Sequence, residues 1–157
     1  MIYEFCAENV TLLEKAMQAG ARRIELCDNL AVGGTTPSYG VTKAAVELAA
    51  NYDTTIMTMI RPRGGDFVYN ELEIAIMLED IRLTAQAGSK GVVFGALTGE
   101  KKLDKPNLEK LIAASKGMEI VFHMAFDELS DEDQLEAIDW LSQAGVTRIL
   151  TLSLIHI

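Results

Sequence analysis

A chain of 157 residues, 49% hydrophobic and 24% charged, has the material for one globular core and is neither a disordered tail nor a fibrous repeat. Its formal net charge of −9, with no basic run interleaved with aromatics, opposes nucleic acid or an anionic membrane as partner and leaves small molecules and metal ions. Two cysteines without a C-x-x-C motif exclude a disulfide framework and a four-cysteine zinc site. The absence of a signal-like start or a long apolar stretch predicts a soluble, cytoplasmic protein with reduced thiols.

In chain order, the pattern predicts a strand near 2–6, a helix near 8–19 and a strand near 22–27. The junction between the last two, QAGARRIEL at 18–26, returns as QAGSKGVVF at 86–94 and QAGVTRILT at 143–151. Each glycine suits the left-handed position just past a helix terminus, and the β-branched run after it reads as a buried strand. A loop rich in Gly, Thr, Pro and Ser follows Asp28, then a helix near 41–50 and a strand near 54–61. The clearest helical period lies at 71–87. There Ile74, Met77, Leu78, Ile81 and Ala85 fall at i, i+3, i+4, i+7 and i+11, opened by Asn70 and Glu73 as a capping pair. Strands near 90–95, 118–123 and 147–151, with helices near 106–115 and 131–143, bring the total to six strands and five helices.

Alternating strands and helices imply a parallel sheet with right-handed crossovers, doubly wound or closed into a barrel. The first three strands each set an apolar face against a polar or mixed one. Tyr3 and Phe5 oppose Glu4 and Cys6, Ile24 and Leu26 oppose Glu25 and Cys27, and Ile56 and Ile60 oppose Met57, Met59 and Arg61. An open sheet covered on both sides buries two apolar faces, whereas a barrel accommodates paired polar groups inside. The pattern therefore predicts an α/β fold of parallel (β/α) TIM type. A full barrel of eight units takes about 250 residues, so this sequence predicts an incomplete one, residues 1–151, followed by a terminal segment, 152–157.

Working residues in such barrels sit at the carboxyl ends of strands and in the loops that follow. Arg61 and Arg63, in MIRPRGGDF, are permanently cationic forks suited to carboxylate or phosphate, and Gly64 and Gly65 allow backbone N–H groups to approach an anion. The alternative for Arg61 is an internal ion pair with Glu4 or Glu25. Glu25 is a candidate general acid or base, and equally a salt-bridge partner. His123 is a candidate proton shuttle or metal ligand, with Asp127 to orient it or simply to begin the next loop. Cys6 and Cys27 share inward parity on neighbouring strands about 4.8 Å apart, so their sulfurs can meet. With the Met59 thioether nearby they suit a soft ion such as Cu(I), whereas a structural reading makes both thiols small buried hydrophobes.

EFCAEN at 4–9, GARRIELCDNLAVGGTTPSYG at 20–40, MIRPRGGDFVYNELEIAIM at 59–77, GVVFGALT at 91–98 and FHMAFDE at 122–128 together resemble the CutC family, named for copper homeostasis. The match is collinear over nearly the whole chain. The resemblance implies a cytoplasmic TIM-type barrel that self-associates as a homo-oligomer and handles copper. It makes Cys6 and Cys27 candidate copper ligands and places Glu25, Arg61, Arg63, His123 and Asp127 in one rim cluster. An enzyme acting on a small phosphorylated or carboxylated compound is the alternative reading of that rim. Two departures stand out. Met124 replaces the arginine of the family's FHRAFD, and LSLIHI at 152–157 stands where the family continues with a Ser-Gly-Gly turn and two more barrel units.

Overall fold

A computed structural model describes residues 1–152. Six strands lie in the order of the chain, all parallel: β1 (Glu4–Glu8), β2 (Arg23–Cys27), β3 (Thr55–Met59), β4 (Gly91–Phe94), β5 (Glu119–Phe122) and β6 (Arg148–Ile149). Between them run α1 (Leu13–Gln18), α2 (Tyr39–Ala49), α3 (Glu71–Ala87), α4 (Lys105–Ala114) and α5 (Asp131–Gln143). The sheet curls into an incomplete TIM-type barrel with helices outside. Strand order 1 to 6 without reversal is what repeated right-handed βα units produce.

The helices form where the sequence supplies both a start and a stop. In α3, Asn70 and Glu73 make the reciprocal capping box, and Gly88, at φ 89°, ends the helix. Its buried face is Ile74, Met77, Ile81 and Thr84, while Ala85 is exposed, so the apolar stripe turns slightly from the predicted one. Gly20 and Gly145 take the same left-handed conformation after α1 and α5.

The largest shift from expectation is at the start. The strand predicted at 2–6 runs from Glu4 to Glu8, and the helix predicted from residue 8 begins at Leu13. Asn9 and Leu12 both have positive φ, and the Asn9 N–H donates to the Cys27 carbonyl at 2.8 Å, so the chain stays tied to β2 past the strand end. Short 3-10 turns at Leu30–Val32 and Met124–Glu128 were not apparent in the periodicity, being too brief to show one.

Packing separates the two faces as the alternation predicts. Phe5, Ala7, Ile24, Leu26 and Ile56 pack outward against α1 and α2, and Ile60, Val92, Phe94, Ile120 and Phe122 against α3, α4 and α5. Cys27, Met57, Met59, Val93 and Val121 form a separate inner cluster. Nearer the amino ends of the strands the inner face carries charge in pairs: Arg23 with Glu4 at 3.1 Å and Arg148 with Glu119 at 2.6 Å. Arg23, mostly buried, thus takes the ion-pair role that the sequence offered to Arg61, because it stands directly beside Glu4 in the β1–β2 register.

Candidate metal centre

The register sets the geometry of the inner face. Cys6 lies opposite Glu25, which in turn lies opposite Met57, while Cys27 lies opposite Glu8. Cys6 and Cys27 are therefore diagonal neighbours, and two residues of rise across one inter-strand spacing separate their Cα atoms by about 8 Å. That exceeds the roughly 7 Å beyond which a disulfide needs backbone movement. Their side chains nonetheless converge, with the sulfurs 4.0 Å apart. A gap too wide for a disulfide at the backbone, yet bridged by the side chains, suits an ion held between two sulfurs.

Glu25 completes the cluster. Both thiols donate to the same carboxylate oxygen, Oε1, Cys6 at 3.6 Å and Cys27 at 3.7 Å. The two sulfurs and a Glu25 oxygen lie within 4.8 Å of one another, the one group of three or more His, Cys, Asp or Glu so placed among the described residues. Cys6 is exposed and Cys27 fully buried, so the group opens to solvent on one side only. Burial raises the Glu25 carboxyl above its ordinary range, with Glu4 adding to the effect and the two thiol hydrogen bonds opposing it. The Cys27 thiol is pushed strongly upward by its contact with Cys6, then by burial and by Glu25. In this state the buried thiol keeps its proton, and a cation must displace it.

A loop closes over the inner sulfur. Gly34, at φ 88°, lies so close that a Cβ there would stand 3.0 Å from Cys27 Sγ and 3.6 Å from Met59 Cε. A Cβ on Gly33 would meet Arg61 Nη1 and Met124 Cε, each at 3.2 Å. The glycines of the Gly-Thr-Pro-Ser loop are thus required by close approach to the inner face. Its hydroxyls are spent on the fold: Thr36 Oγ1 accepts from the Arg61 N–H at 2.9 Å, and Ser38 Oγ caps α2.

The remaining candidates fall into separate groups. Arg61 is buried and makes no ion pair with Glu4 or Glu25. Its Nη1 donates to the carbonyls of Val32 at 2.7 Å and Gly34 at 3.0 Å, and its Nη2 to that of Gly65 at 2.7 Å. It therefore clamps the loop over Cys27 to the segment after β3. Arg63 is half exposed and bound by Glu73 at 2.5 Å and Asp66 at 3.1 Å, with its guanidinium 5.4 Å from the centre of the Tyr69 ring. Gly64 packs under Val32, and Gly65 presents its carbonyl to Arg61.

His123 is fully buried at the end of β5, and its Nδ1 accepts from the Ala125 N–H at 3.2 Å. That bond puts the imidazole proton on Nε2, so His123 is neutral and presents a donor. Asp127 does not orient it: Oδ1 accepts from Thr151 Oγ1 at 2.6 Å and Oδ2 from the Leu152 N–H at 2.8 Å. Phe67 and Tyr69, buried in the same rim, escaped the sequence reading; two aromatics spaced by two after RPRGG were the available signal. His156 and the rest of 153–157 lie outside the described residues.

Thiols are ligands for soft ions, and the Met57 and Met59 side chains line the same inner wall, so the donor set fits Cu(I) better than a hard cation. Fold and cluster together define an incomplete TIM-type barrel carrying a thiol and carboxylate group able to hold a metal ion. The family model described as CutC matches residues 1–155, and the chain belongs to the CutC family. A CutC family protein of Enterococcus faecalis is 54% identical over 151 residues, covering 96% of this chain and 72% of that protein. A crystal structure from Streptococcus agalactiae, described as a copper homeostasis protein CutC, is 49% identical with a TM-score of 0.93 and covers 96% of this chain and 72% of that one. An archaeal fructose 1,6-bisphosphate aldolase, 18% identical, covers 88% of this chain and 52% of its own with a TM-score of 0.64, a likeness of barrel fold alone.

Proposed function

We propose that this protein binds Cu(I) between Cys6 and Cys27 and serves copper homeostasis, acting in the cytoplasm as a homo-oligomer. The observation that carries the reading is the convergence of two sulfurs to 4.0 Å from Cα positions too far apart for a ready disulfide. Both sulfurs ligate as thiolates, and binding releases their protons. Glu25, touching both through one oxygen, receives one of those protons while the other leaves to solvent on the Cys6 side, or faces the ion as a third, weaker donor. The exposed side at Cys6 gives a route for exchange, while the loop at Gly34 covers the inner sulfur.

The test is a Cu(I) titration of reduced protein against a competing chelator. One equivalent should bind to the unaltered chain, and affinity should fall by about two orders of magnitude or more when both Cys6→Ala and Cys27→Ala are introduced. Equal affinity in the double variant would remove the cysteine pair as the site. Affinity should also rise with pH, since thiol protons leave as copper enters.

A further inference from the structure

Among the described residues, three buried side-chain nitrogen or oxygen atoms find no hydrogen-bond partner: Arg61 Nε, Tyr69 Oη and His123 Nε2. They share one neighbourhood. The Arg61 guanidinium carbon lies 4.9 Å from the centre of the Phe67 ring, the His123 ring lies 4.9 Å from the same ring, and Tyr69 follows Phe67 by two residues. Leaving a buried polar atom without a partner is costly, so three together in one rim point to a ligand.

The chemistry of the three is one-sided. Arg61 Nε–H is a donor with no acceptor capacity. His123 Nε2 carries the imidazole proton because Nδ1 already accepts from Ala125. Burial, then the charge of Arg61, holds this histidine down to about 3, so the ring stays neutral. Burial pushes the Tyr69 phenol up to about 12, which leaves its proton in place. The site thus offers three donors.

Charge narrows the partner further. Arg61 is 2% exposed; among the described residues its guanidinium meets backbone carbonyls, the Phe67 face and the Tyr69 hydroxyl and makes no ion pair, the exposed Asp66 being the carboxylate that feels its charge. A buried guanidinium lacking a counter-ion is costly, and water would satisfy the donors without neutralising it. A cleft of about 590 Å³, lined by Gly65, Asp66, Phe67, Thr98, Lys101 and Glu128 among others, reaches the same ring.

We propose that this neighbourhood binds a small oxyanion, a phosphoryl or carboxylate group, with Arg61 Nε, Tyr69 Oη and His123 Nε2 as its donors. The site is distinct from the cysteine pair, although Arg61 joins the two through the carbonyl of Gly34. An anion on Arg61 would therefore sit one residue contact from the loop that covers Cys27.

Calorimetric titration of the protein with inorganic phosphate and, separately, with malonate tests the assignment, with chloride at matched ionic strength as control. Saturable binding of either probe is expected, and the preference between them tells phosphoryl from carboxylate ligands. Tyr69→Phe removes the buried hydroxyl beside Arg61 and keeps the ring. It should weaken binding about tenfold while leaving Tm without anion unchanged or higher. His123→Asn, which keeps an oxygen for the Ala125 N–H, should weaken binding similarly. The Cys6→Ala, Cys27→Ala variant should bind the anion like the unaltered protein, which separates this site from the copper reading. No saturable binding of either probe, or equal affinity in the Tyr69→Phe variant, would overturn the proposal.

Discussion

His123 makes the stability of this barrel sensitive to acid, and the size of the effect follows from its surroundings. The ring is fully buried between Phe67 and Phe122, its Nδ1 is occupied by the Ala125 N–H, and Arg61 stands nearby. Burial first, and Arg61 second, hold its folded-state pKa at about 3, against an ordinary histidine value of 6.5. A pKa depressed on folding means that below 6.5 the unfolded chain binds a proton that the native state refuses. Stability from this group is complete above that value and is lost as pH falls toward 3. Between pH 7 and pH 5 the loss amounts to about 2 kcal/mol. Glu25 acts in the opposite sense, since its raised carboxyl favours the native state on acidification, so the comparison must isolate the histidine. Urea unfolding at the two pH values, followed by Trp140 fluorescence, should show the unaltered protein losing about 2 kcal/mol more than a His123→Asn variant. Identical losses in the two proteins would refute the claim that this ring is held neutral by burial.

Two further outcomes follow from the inner face. Gly34→Ala places a Cβ 3.0 Å from Cys27 Sγ at a backbone φ of 88°, and should cost roughly 1–3 kcal/mol in urea unfolding while weakening Cu(I) binding in the chelator titration. Treatment of copper-free protein with diamide should leave Cys6 and Cys27 largely unlinked by non-reducing peptide mass spectrometry, because their diagonal register separates the Cα atoms by about 8 Å. Rapid and complete formation of that disulfide would contradict the register argument.

Much of the barrel was legible because its signals are local. Repeated QAG junctions mark helix stops, α3 carries both a cap and a period, and strand alternation separates Leu26 from Glu25 and Cys27. The approach of Cys6 to Cys27 followed from parity alone. What escaped depends on contacts that sequence spacing does not encode. Arg61 was offered Glu4 or Glu25 as partners, but register gives Glu4 to Arg23, and loop carbonyls enclose the guanidinium instead. Asp127 follows His123 by four residues yet turns to Thr151 and Leu152, since a 3-10 turn at Met124–Glu128 carries it away. Tyr69 and Phe67 lay in a loop without period, where only the folded chain brings them to Arg61 and His123.

X-ray absorption at the copper edge of the Cu(I)-loaded protein tests the central claim most directly. The structure predicts a first shell dominated by sulfur from Cys6 and Cys27, lost together in the Cys6→Ala, Cys27→Ala variant. A first shell of nitrogen and oxygen alone, or a sulfur shell that survives in that variant, would contradict it.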